Sequence, residues 1–351
     1  MKALRFLGDK RCDVADVPAP VRKNGEILIK VMSSALCGSE NNRYLCDAKE
    51  YQSSGGTGSS GGTGPSGGYY IAGHEMSGVV VDAGESTVLK NGDKVVVQVI
   101  NGCGDCFYCK NNTFTFCQSL QHMGGTHAQF VSFPERCVIK APDDIDYDML
   151  VLLGGDTVGV ANRAAKQLDL EKGKRVFVSG SGPIGLGVVA MLKHLGCFVI
   201  VSEPSAYRRD YVKTTAGADV ILDPTKESFK EELFALTDGV GPEITIECSG
   251  SPRAQLDALE LTRCGGTVML CGENYNFFEI IPSVHIIHKE LSVKGAFYFT
   301  EDDFHEIVGM YRAGLDVSAL VSHKVKINDA PKAVSDFVNG LTGKVILHTQ
   351  E

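Results

Sequence analysis

Four cysteines follow a C-x2-C-x2-C-x7-C pattern at Cys103, Cys106, Cys109 and Cys117. Zinc prefers four tetrahedral ligands, and thiolates at such short spacings can surround one ion without help from elsewhere in the chain. An all-thiolate set leaves no position open for a substrate, so the pattern predicts a structural zinc loop over residues 101–117. The alternatives are disulfide pairs or thiols scattered in the core.

A second set of ligand-type residues precedes this loop. His74 lies between Gly73 and Glu75, and an isolated Cys37 stands upstream in the sequence LCGSE at residues 36–40. Thiolate, imidazole and carboxylate form a mixed donor set, which suits a catalytic metal site with an open coordination position. The chain therefore has two candidate metal sites, one closed and one open to a substrate.

A glycine-rich turn follows a short apolar run at residues 174–179, which is typical of a buried parallel strand. The turn consists of Gly180, Ser181, Gly182, Pro183, Ile184 and Gly185. Its glycines allow a tight strand-to-helix turn, the approach of backbone to a pyrophosphate, and close packing of helix on strand. A helix over residues 184–195 would direct its amide dipoles at the bound anion.

The next strand, at residues 197–202, ends in Glu203, about twenty residues after the last glycine of the turn. A carboxylate there can accept hydrogen bonds from the adenosine ribose and would repel a 2′-phosphate. Arg208 and Arg209 favour the opposite choice, because paired guanidinium groups can bind that phosphate. We expect Glu203 to decide, which favours NAD over NADP.

Strand and helix patterns continue to alternate through residues 219–270, which predicts a doubly wound sheet of parallel strands. Ligands of such sheets bind at the carboxyl ends of the strands. Cys248, Ser249 and Gly250 follow one predicted strand, and Cys271 and Gly272 follow the next. We therefore add these five residues to the candidate cofactor site.

The composition is that of an ordinary globular protein. With 351 residues, 43% hydrophobic and 22% charged, the chain can form two cores of usual size. A formal net charge of -9 argues against a nucleic-acid surface. Residues 1–6 lack the apolar segment of a secretory signal, and no stretch approaches the ~18 apolar residues of a membrane span. We expect a cytoplasmic protein with reduced thiols.

With both sites in view, nearly the whole chain resembles the zinc-dependent medium-chain dehydrogenases, the group of alcohol, polyol and threonine dehydrogenases. The resemblance rests on the two metal patterns, the glycine-rich turn, and segments such as GEILIKV at residues 25–31 and GDKVVV at residues 92–97. It implies a GroES-like β-barrel catalytic domain at residues 1–155, a Rossmann domain at 156–292, and a return to the catalytic domain at 293–351. It also implies two zinc ions per chain, NAD, and a homodimer or homotetramer.

Carried onto this sequence, the resemblance makes Cys37 and His74 ligands of the catalytic zinc and Glu75 a ligand that exchanges with water. Asp156 falls where many members have a second cysteine and others a carboxylate. An oxygen ligand makes the site harder than a two-thiolate site, so weaker zinc retention is expected. Asp156 could instead cap the helix that follows it.

The same resemblance assigns the proton path. Ser39 corresponds to the hydroxyl that touches the substrate alcohol, and Glu40 stands in place of a more usual aspartate as a supporting group. Where some members have a histidine that ends the relay, this chain has Asn42, which cannot titrate. The relay must then end in water, in the cofactor ribose or in another base.

Two features remain open from sequence alone. His127 lies near the expected substrate pocket, and a structural role is favoured over a functional one. Residues 52–68 contain a repeated SSGGTG and no large apolar side chain. This composition favours a flexible loop, and its place between Cys37 and His74 leaves a flap over the substrate entrance as the alternative.

The function that we expect is oxidation of a secondary alcohol, such as a polyol, diol or cyclitol, to a ketone with NAD. One alternative is a zinc-independent reductase of quinones or enones from the same superfamily, against which Cys37 and His74 argue. The other is a cofactor-binding protein that Asp156 and Asn42 have made inactive. We expect a small-molecule substrate, no nucleic acid and no membrane.

Overall fold

Strands dominate both ends of the chain, and strands and helices alternate in its middle. The computed structural model describes residues 1–47 and 70–350, so the repeat at residues 52–68 lies outside the described residues. The strands, numbered in chain order, are β1 Lys2–Gly8, β2 Arg11–Asp16, β3 Glu26–Ala35, β4 Tyr70–Ile71, β5 Met76–Asp82, β6 Lys94–Val97, β7 Ile100–Asn101, β8 Gln121–His122, β9 Phe130–Pro134, β10 Val138–Lys140, β11 Arg175–Ser179, β12 Phe198–Ser202, β13 Val220–Leu222, β14 Ile244–Glu247, β15 Thr267–Leu270, β16 Ser292–Gly295, β17 Val321–Lys326 and β18 Lys344–His348.

Helices of three kinds connect these strands. The α-helices are Asn41–Leu45, Phe107–Lys110, Tyr147–Leu153, Asp156–Ala165, Pro183–His194, Ala206–Thr214, Phe229–Ala235, Pro252–Leu261, Glu301–Arg312 and Ala330–Val338. Single turns of 3₁₀-helix occur at Gly38–Glu40, Phe114–Phe116, Glu135–Cys137, Ser318–Leu320 and Ile327–Asp329, and a π-helical turn occurs at Ser283–Ile287. No helix of the described residues is long and apolar enough to cross a membrane.

Six parallel strands form the sheet of the central domain. Their order is β13-β12-β11-β14-β15-β16, so the direction of winding reverses between β11 and β14. β-Branched side chains of β11 and β12, such as Val176 and Val201, are fully buried, because helices cover both faces of the sheet. This is the doubly wound Rossmann arrangement that the sequence predicts, and the reversal point is where its cofactor crevice forms.

The central sheet extends a few residues past the second domain boundary predicted from sequence. A return to the catalytic domain at residue 293 would cut through β16, which pairs in parallel with β15 from Ser292 to Gly295. The central sheet therefore continues to Gly295. The chain rejoins the catalytic domain at β17 and β18, where Ile346 of β18 pairs with Ala35 of β3.

The catalytic domain is built on a seven-stranded sheet with the order β10-β6-β5-β3-β18-β17, to which β9 is added through β3. Inward and outward side chains alternate along β3, which places its apolar half, including Ile29 and Val31, in the core. Cys37 lies two residues beyond the end of β3, and Glu75 immediately precedes β5. Because β3 and β5 are antiparallel neighbours, the end of one meets the start of the other.

Candidate active site

Four ligand-type side chains come together beside this strand pair. Donor atoms of Cys37, His74, Glu75 and Asp156 all lie within 4.8 Å of one another, and we call this group the cleft cluster. The Nε2 atom of His74 is 3.1 Å from Oδ2 of Asp156. Burial opposes protonation of His74, yet the charges of Cys37 and Asp156 raise its pKa well above the ordinary value. The cluster is therefore rich in negative charge and suited to a cation.

Asp156 does not act as the helix cap. The helix Asp156–Ala165 begins at this residue, its N-cap is Gly155, and no side chain makes the capping hydrogen bond. The Asp156 carboxylate is directed at His74 instead. The geometry thus favours the ligand interpretation over the capping interpretation of this residue.

Sequence reasoning missed Lys344, which lies behind the cleft cluster. Its side chain is fully buried, with Nζ 2.7 Å from Oε1 of Glu75 and 3.0 Å from the carbonyl oxygen of Leu36. Burial opposes the charge on Lys344, but Glu75 raises the pKa of the amine above its usual value. The sequence signal that could have found it is a lysine at the start of β18, which is otherwise mostly apolar. A charge buried there requires a partner.

One carboxylate oxygen tests whether a metal fits. Oε2 of Glu75 is buried and, apart from its 2.7 Å ion-pair contact with Lys344 Nζ, makes no hydrogen bond among the described residues. An unsatisfied buried carboxylate oxygen, a thiolate, an imidazole and a second carboxylate are donors that zinc accepts. The residues of the cleft cluster therefore fit a zinc ion.

Glu40 and His127 form a buried support beneath the cluster. Glu40 accepts a hydrogen bond from the backbone N–H of Cys37 (3.0 Å) and contacts Nε2 of His127 (3.2 Å). Nδ1 of His127 contacts the hydroxyl of Ser34. Burial would raise the pKa of Glu40, but His127 and other partners lower it to about 2. Glu40 is thus placed to orient Cys37, and both nitrogens of His127 have partners inside the protein, as a structural histidine requires.

Other polar groups line the cleft in front of the cluster. Tyr298, Glu273 and His122 all lie within electrostatic range of Asp156 and His74. The rings of His122 and Tyr298 are 6.1 Å apart. Burial lowers the pKa of His122 and raises that of Tyr298, which keeps both neutral near pH 7. Sequence analysis gave none of these three a role, since they come from segments far apart in the chain.

The four cysteines of the zinc loop also converge. Their sulfur atoms lie within 4.8 Å of one another, and all four are free thiols. Sγ of Cys117 accepts hydrogen bonds from the backbone N–H groups of Cys103 and Ser119, each at 3.4 Å. Backbone N–H groups lower the pKa of Cys103 to about 6, which favours the thiolate. The convergence of four sulfur atoms fits a closed tetrahedral site.

Cys109→Ser is expected to lower metal content by about one zinc per chain and to lower thermal stability more than kcat. A closed thiolate site contributes folding free energy and does not meet the substrate. Metal analysis and thermal unfolding measure the two effects, with the exposed Cys264→Ser as the matched control. A Cys109→Ser protein with an unchanged thermal midpoint and a large loss of kcat would contradict the structural assignment.

The glycine-rich turn has the geometry of a dinucleotide site. Gly180 has a φ of +90°, which residues with a side chain rarely adopt. A Cβ on Gly185 would lie 2.0 Å from the carbonyl oxygen of Gly180, so only glycine allows this helix to pack on the turn. The helix begins at Pro183, after Gly182 as N-cap, and continues through Ile184.

The carboxyl ends of the neighbouring strands complete this edge of the sheet. Cys248, Ser249 and Gly250 follow β14, and the backbone N–H of Cys248 donates to Ser179 of β11. Cys271 and Gly272 follow β15. The structure thus brings all five predicted residues to the edge where the glycine-rich turn lies.

The side chains of Glu203, Arg208 and Arg209 all make hydrogen bonds within the protein. The Glu203 carboxylate accepts hydrogen bonds from Ser181 N (2.8 Å) and Ser205 N (2.9 Å), which holds it against the turn. Arg208 lies beside Gly182 but donates to the carbonyls of Phe337 and Thr342, so two of its donors are engaged away from the cofactor crevice. Arg209 donates to the carbonyls of residues 203 and 204 and pairs with Asp223 at 3.1 Å.

Comparison with known proteins agrees with both domains. Residues 23–143 match the alcohol dehydrogenase GroES-like domain, and residues 183–312 match the zinc-binding dehydrogenase family. The L-threonine 3-dehydrogenase of Shewanella baltica is 30% identical over 356 residues, with 99% of each chain covered.

Solved structures show the same architecture. The 2R,3R-butanediol dehydrogenase of Bacillus subtilis has a TM-score of 0.80 at 26% identity, with 99% of each chain covered. A zinc-binding dehydrogenase of Clostridium scindens has a TM-score of 0.86 at 20% identity, with 100% of each chain covered, and shows the shared fold. The chain therefore belongs to the zinc-dependent medium-chain dehydrogenases and reductases, as an NAD(P)-dependent dehydrogenase of the alcohol and polyol class.

Proposed function

We propose that this protein oxidises a secondary alcohol that carries further hydroxyls, a polyol, diol or cyclitol, to a ketone, with NAD as the hydride acceptor. The observation that carries the proposal is the meeting of two sites in one cleft. Glu273, at the cofactor edge of the central sheet, lies close enough to Asp156 and His74 of the cleft cluster for their charges to interact. Hydride transfer requires such proximity of the metal centre to the cofactor.

Two relatives support a secondary alcohol. The names of the Shewanella L-threonine 3-dehydrogenase and the Bacillus 2R,3R-butanediol dehydrogenase both denote oxidation at a secondary hydroxyl. The carboxylates of the cleft cluster favour polar substrates over purely apolar ones, because an apolar group would desolvate them without compensation. These arguments support a polyhydroxylated alcohol for this chain.

The cleft cluster would hold the catalytic zinc through Cys37, His74, Asp156 and Glu75. A zinc ion bound there would supply Lewis-acid chemistry to the alcohol. Lys344 balances the charge of Glu75, which lets this carboxylate stay buried near the site without a full uncompensated charge. Glu40 fixes the backbone at Cys37 and so positions that ligand. The four-cysteine loop would hold the second zinc of each chain.

We propose that Ser39 begins proton removal. It lies in the exposed part of the turn Gly38–Glu40, two residues after Cys37. Asn42, also exposed, cannot take the proton onward. The proton would therefore pass from the Ser39 hydroxyl to solvent or to the cofactor ribose.

The preference for NAD rests on Glu203, since its carboxylate is fixed at the turn where the adenosine ribose would lie. Glu203→Ala is expected to shift the ratio of kcat/KM for NAD and NADP towards NADP by about 1–3 kcal/mol, because repulsion of a 2′-phosphate disappears and ribose hydrogen bonds are lost. Steady-state kinetics with both cofactors measures this ratio. The exposed Glu227→Ala is the control, and a wild-type preference for NADP would refute the assignment.

A homodimer is supported by the free edge of the central sheet. Among the described residues β16 is an edge strand, exposed along its length, and exposed apolar side chains precede it in the chain at Ile281 (60%), Val284 (53%) and Ile287 (62%). An unpaired edge with an apolar border is suited to pairing with the same edge of a second copy.

The twelve cysteines are all free thiols, which supports the cytoplasmic location.

Val284→Asp is expected to shift the protein from dimer to monomer, because it would bury an unpaired charge between the copies. Light scattering after size-exclusion chromatography measures the mass. Val240→Asp is the matched control, since this valine is 58% exposed elsewhere on the same domain. A Val284→Asp protein that keeps the wild-type mass would place the interface elsewhere.

The function is tested by following NADH absorbance with zinc-replete protein and a panel of sorbitol, xylitol, myo-inositol, 2,3-butanediol and L-threonine. Turnover of a neutral diol or polyol is expected. Turnover of quinones or enones alone would favour the zinc-independent reductase, and turnover of nothing, with cofactor bound, would favour the inactive protein. Zinc analysis adds a second measurement, with two equivalents per chain expected.

A further inference from the structure

The backbone at Glu273 is held firmly on the cofactor side of the cleft. Gln255 donates to the carbonyl of Gly272 (3.0 Å) and accepts a hydrogen bond from the side chain of Asn274 (3.0 Å). A Cβ on Gly250 would lie 2.3 Å from the carbonyl oxygen of Glu273, so the two backbones are in close contact. The residues on both sides of Glu273 are therefore anchored to the central domain, which fixes where its side chain begins.

The side chain of Glu273 begins just beyond the carboxyl end of β15, within electrostatic range of the cleft cluster. Its carboxylate lies within electrostatic range of Asp156 and His74, and the phenol of Tyr275 lies close to it. Tyr298, on the catalytic side of the cleft, lies within electrostatic range of Asp156, His74 and Glu273. Glu273 remains exposed to the cleft, and no lysine or arginine in the described part of the chain forms an ion pair with it. A carboxylate with spare acceptor capacity therefore lies at the cofactor edge of the cleft, within electrostatic range of the cleft cluster.

We propose that Glu273 is a specificity-determining residue, which accepts a hydrogen bond from a second donor of the substrate, a hydroxyl or an ammonium group, and disfavours a carboxylate in that place. This inference rests on the proposed function and narrows its substrate class to alcohols with a neighbouring donor. Glu273 touches the part of the substrate that does not react, so its contribution is one of recognition and orientation.

The charge balance of the cleft supports the exclusion of anions. Cys37 and Asp156 are negative ligand types, and the only lysine seen at the cluster among the described residues, Lys344, is already engaged by Glu75. A zinc ion would offset the cluster, which leaves the charge of Glu273 in the substrate space. A substrate carboxylate there would meet a like charge, whereas a hydroxyl or ammonium would donate to it.

Four alcohols separate these effects in the NAD-reduction assay. The first is 2-butanol, which has no second donor; 2,3-butanediol has a hydroxyl, 1-amino-2-propanol an ammonium, and 3-hydroxybutyrate a carboxylate. Glu273→Ala is expected to lower kcat/KM for the diol and the amino alcohol by about ten- to a hundredfold, as expected for loss of a hydrogen bond to a charged group. It should leave 2-butanol within about twofold and raise activity on 3-hydroxybutyrate.

Glu273→Gln distinguishes the two donors. Its amide oxygen can still accept a hydrogen bond from a hydroxyl, so kcat/KM for the diol should fall less than in the alanine variant. The kcat/KM for the amino alcohol should fall as far as it does in the alanine variant. Glu279→Gln, an exposed carboxylate in the same loop, is the matched control and should match wild type.

Two results overturn the inference in different ways. If wild type oxidises the alcohols but Glu273→Ala changes 2-butanol and 2,3-butanediol equally, Glu273 does not recognise a second donor and the proposed function stands. If zinc-replete wild type oxidises none of these alcohols or of the polyols, the proposed function fails, and the inference that rests on it fails with it.

Discussion

Asp156→Ala is expected to remove zinc from the cleft cluster and to lower kcat by at least about a hundredfold, since even residues that only orient a ligand cost about 10–100-fold in metal affinity or activity. The carboxylate is 3.1 Å from His74 and lies within 4.8 Å of the other donor atoms. The zinc of the cysteine loop should remain, and NAD affinity should scarcely change, because Asp156 is directed at the cluster. Metal analysis, kcat and cofactor titration measure these effects on one preparation.

Asp156→Asn sharpens the comparison. Asparagine keeps the size of the side chain and can cap a helix, but it is a neutral and poorer zinc ligand. We expect partial loss of zinc and of kcat in this variant. Full zinc content with near-normal turnover would remove Asp156 from the metal site and leave Cys37, His74 and Glu75 as the ligand set.

Asp146 provides the matched control for the capping interpretation. It is the N-cap of the helix Tyr147–Leu153, where its side chain accepts a hydrogen bond from Met149 N at 2.9 Å. Asp146→Ala should cost about 1 kcal/mol of stability with both zinc ions retained. A similar phenotype for Asp156→Ala, with intact metal content, would show that Asp156 serves the helix and not the metal.

The features that sequence predicted well are those encoded locally. The cysteine loop needs only the spacing of four residues, and the glycine-rich turn needs only the φ values and close contacts of Gly180 and Gly185. Hydrophobic periodicity and the residues that break helices and strands predicted the order of elements in the central domain, because parallel strands alternate with helices in sequence. The strand β16 was not predicted from local pattern, because it is short and exposed and carries no apolar run.

The features that sequence missed depend on contacts between distant segments. Lys344 and Glu75 are 269 residues apart in the chain, and no local pattern specifies that they meet. Tyr298 carries no local signal for its place near the cluster, and its φ of +54° cannot be read from its residue type. The Glu203 carboxylate was expected to be free for the ribose, whereas it first satisfies the N–H of Ser181. Local spacing thus identified the chemistry, and tertiary packing determined its surroundings.

Lys344→Met is expected to destabilise the protein by about 3–5 kcal/mol, the usual cost of leaving a buried charge without its partner. Methionine fills a similar volume but cannot donate to Glu75 or to the carbonyl of Leu36, which Lys344 contacts at 2.7 and 3.0 Å. Urea and thermal unfolding of metal-free and zinc-loaded protein measure the loss. Lys324→Met on β17 is the control, since that lysine is half exposed, pairs with Asp148 at 2.8 Å and should cost at most about 1 kcal/mol.

The double variant Lys344→Met with Glu75→Gln tests the mechanism of that loss. Glutamine removes the buried charge, so the double variant should be more stable than Lys344→Met alone, with a coupling energy that a double-mutant cycle isolates. Cleft zinc should fall in both proteins, because Glu75 loses either its charge balance or its charge. If Lys344→Met were as stable as Lys324→Met, or if the double variant were less stable than Lys344→Met alone, the Glu75–Lys344 pair would not be what holds β18 against the metal-bearing end of β3.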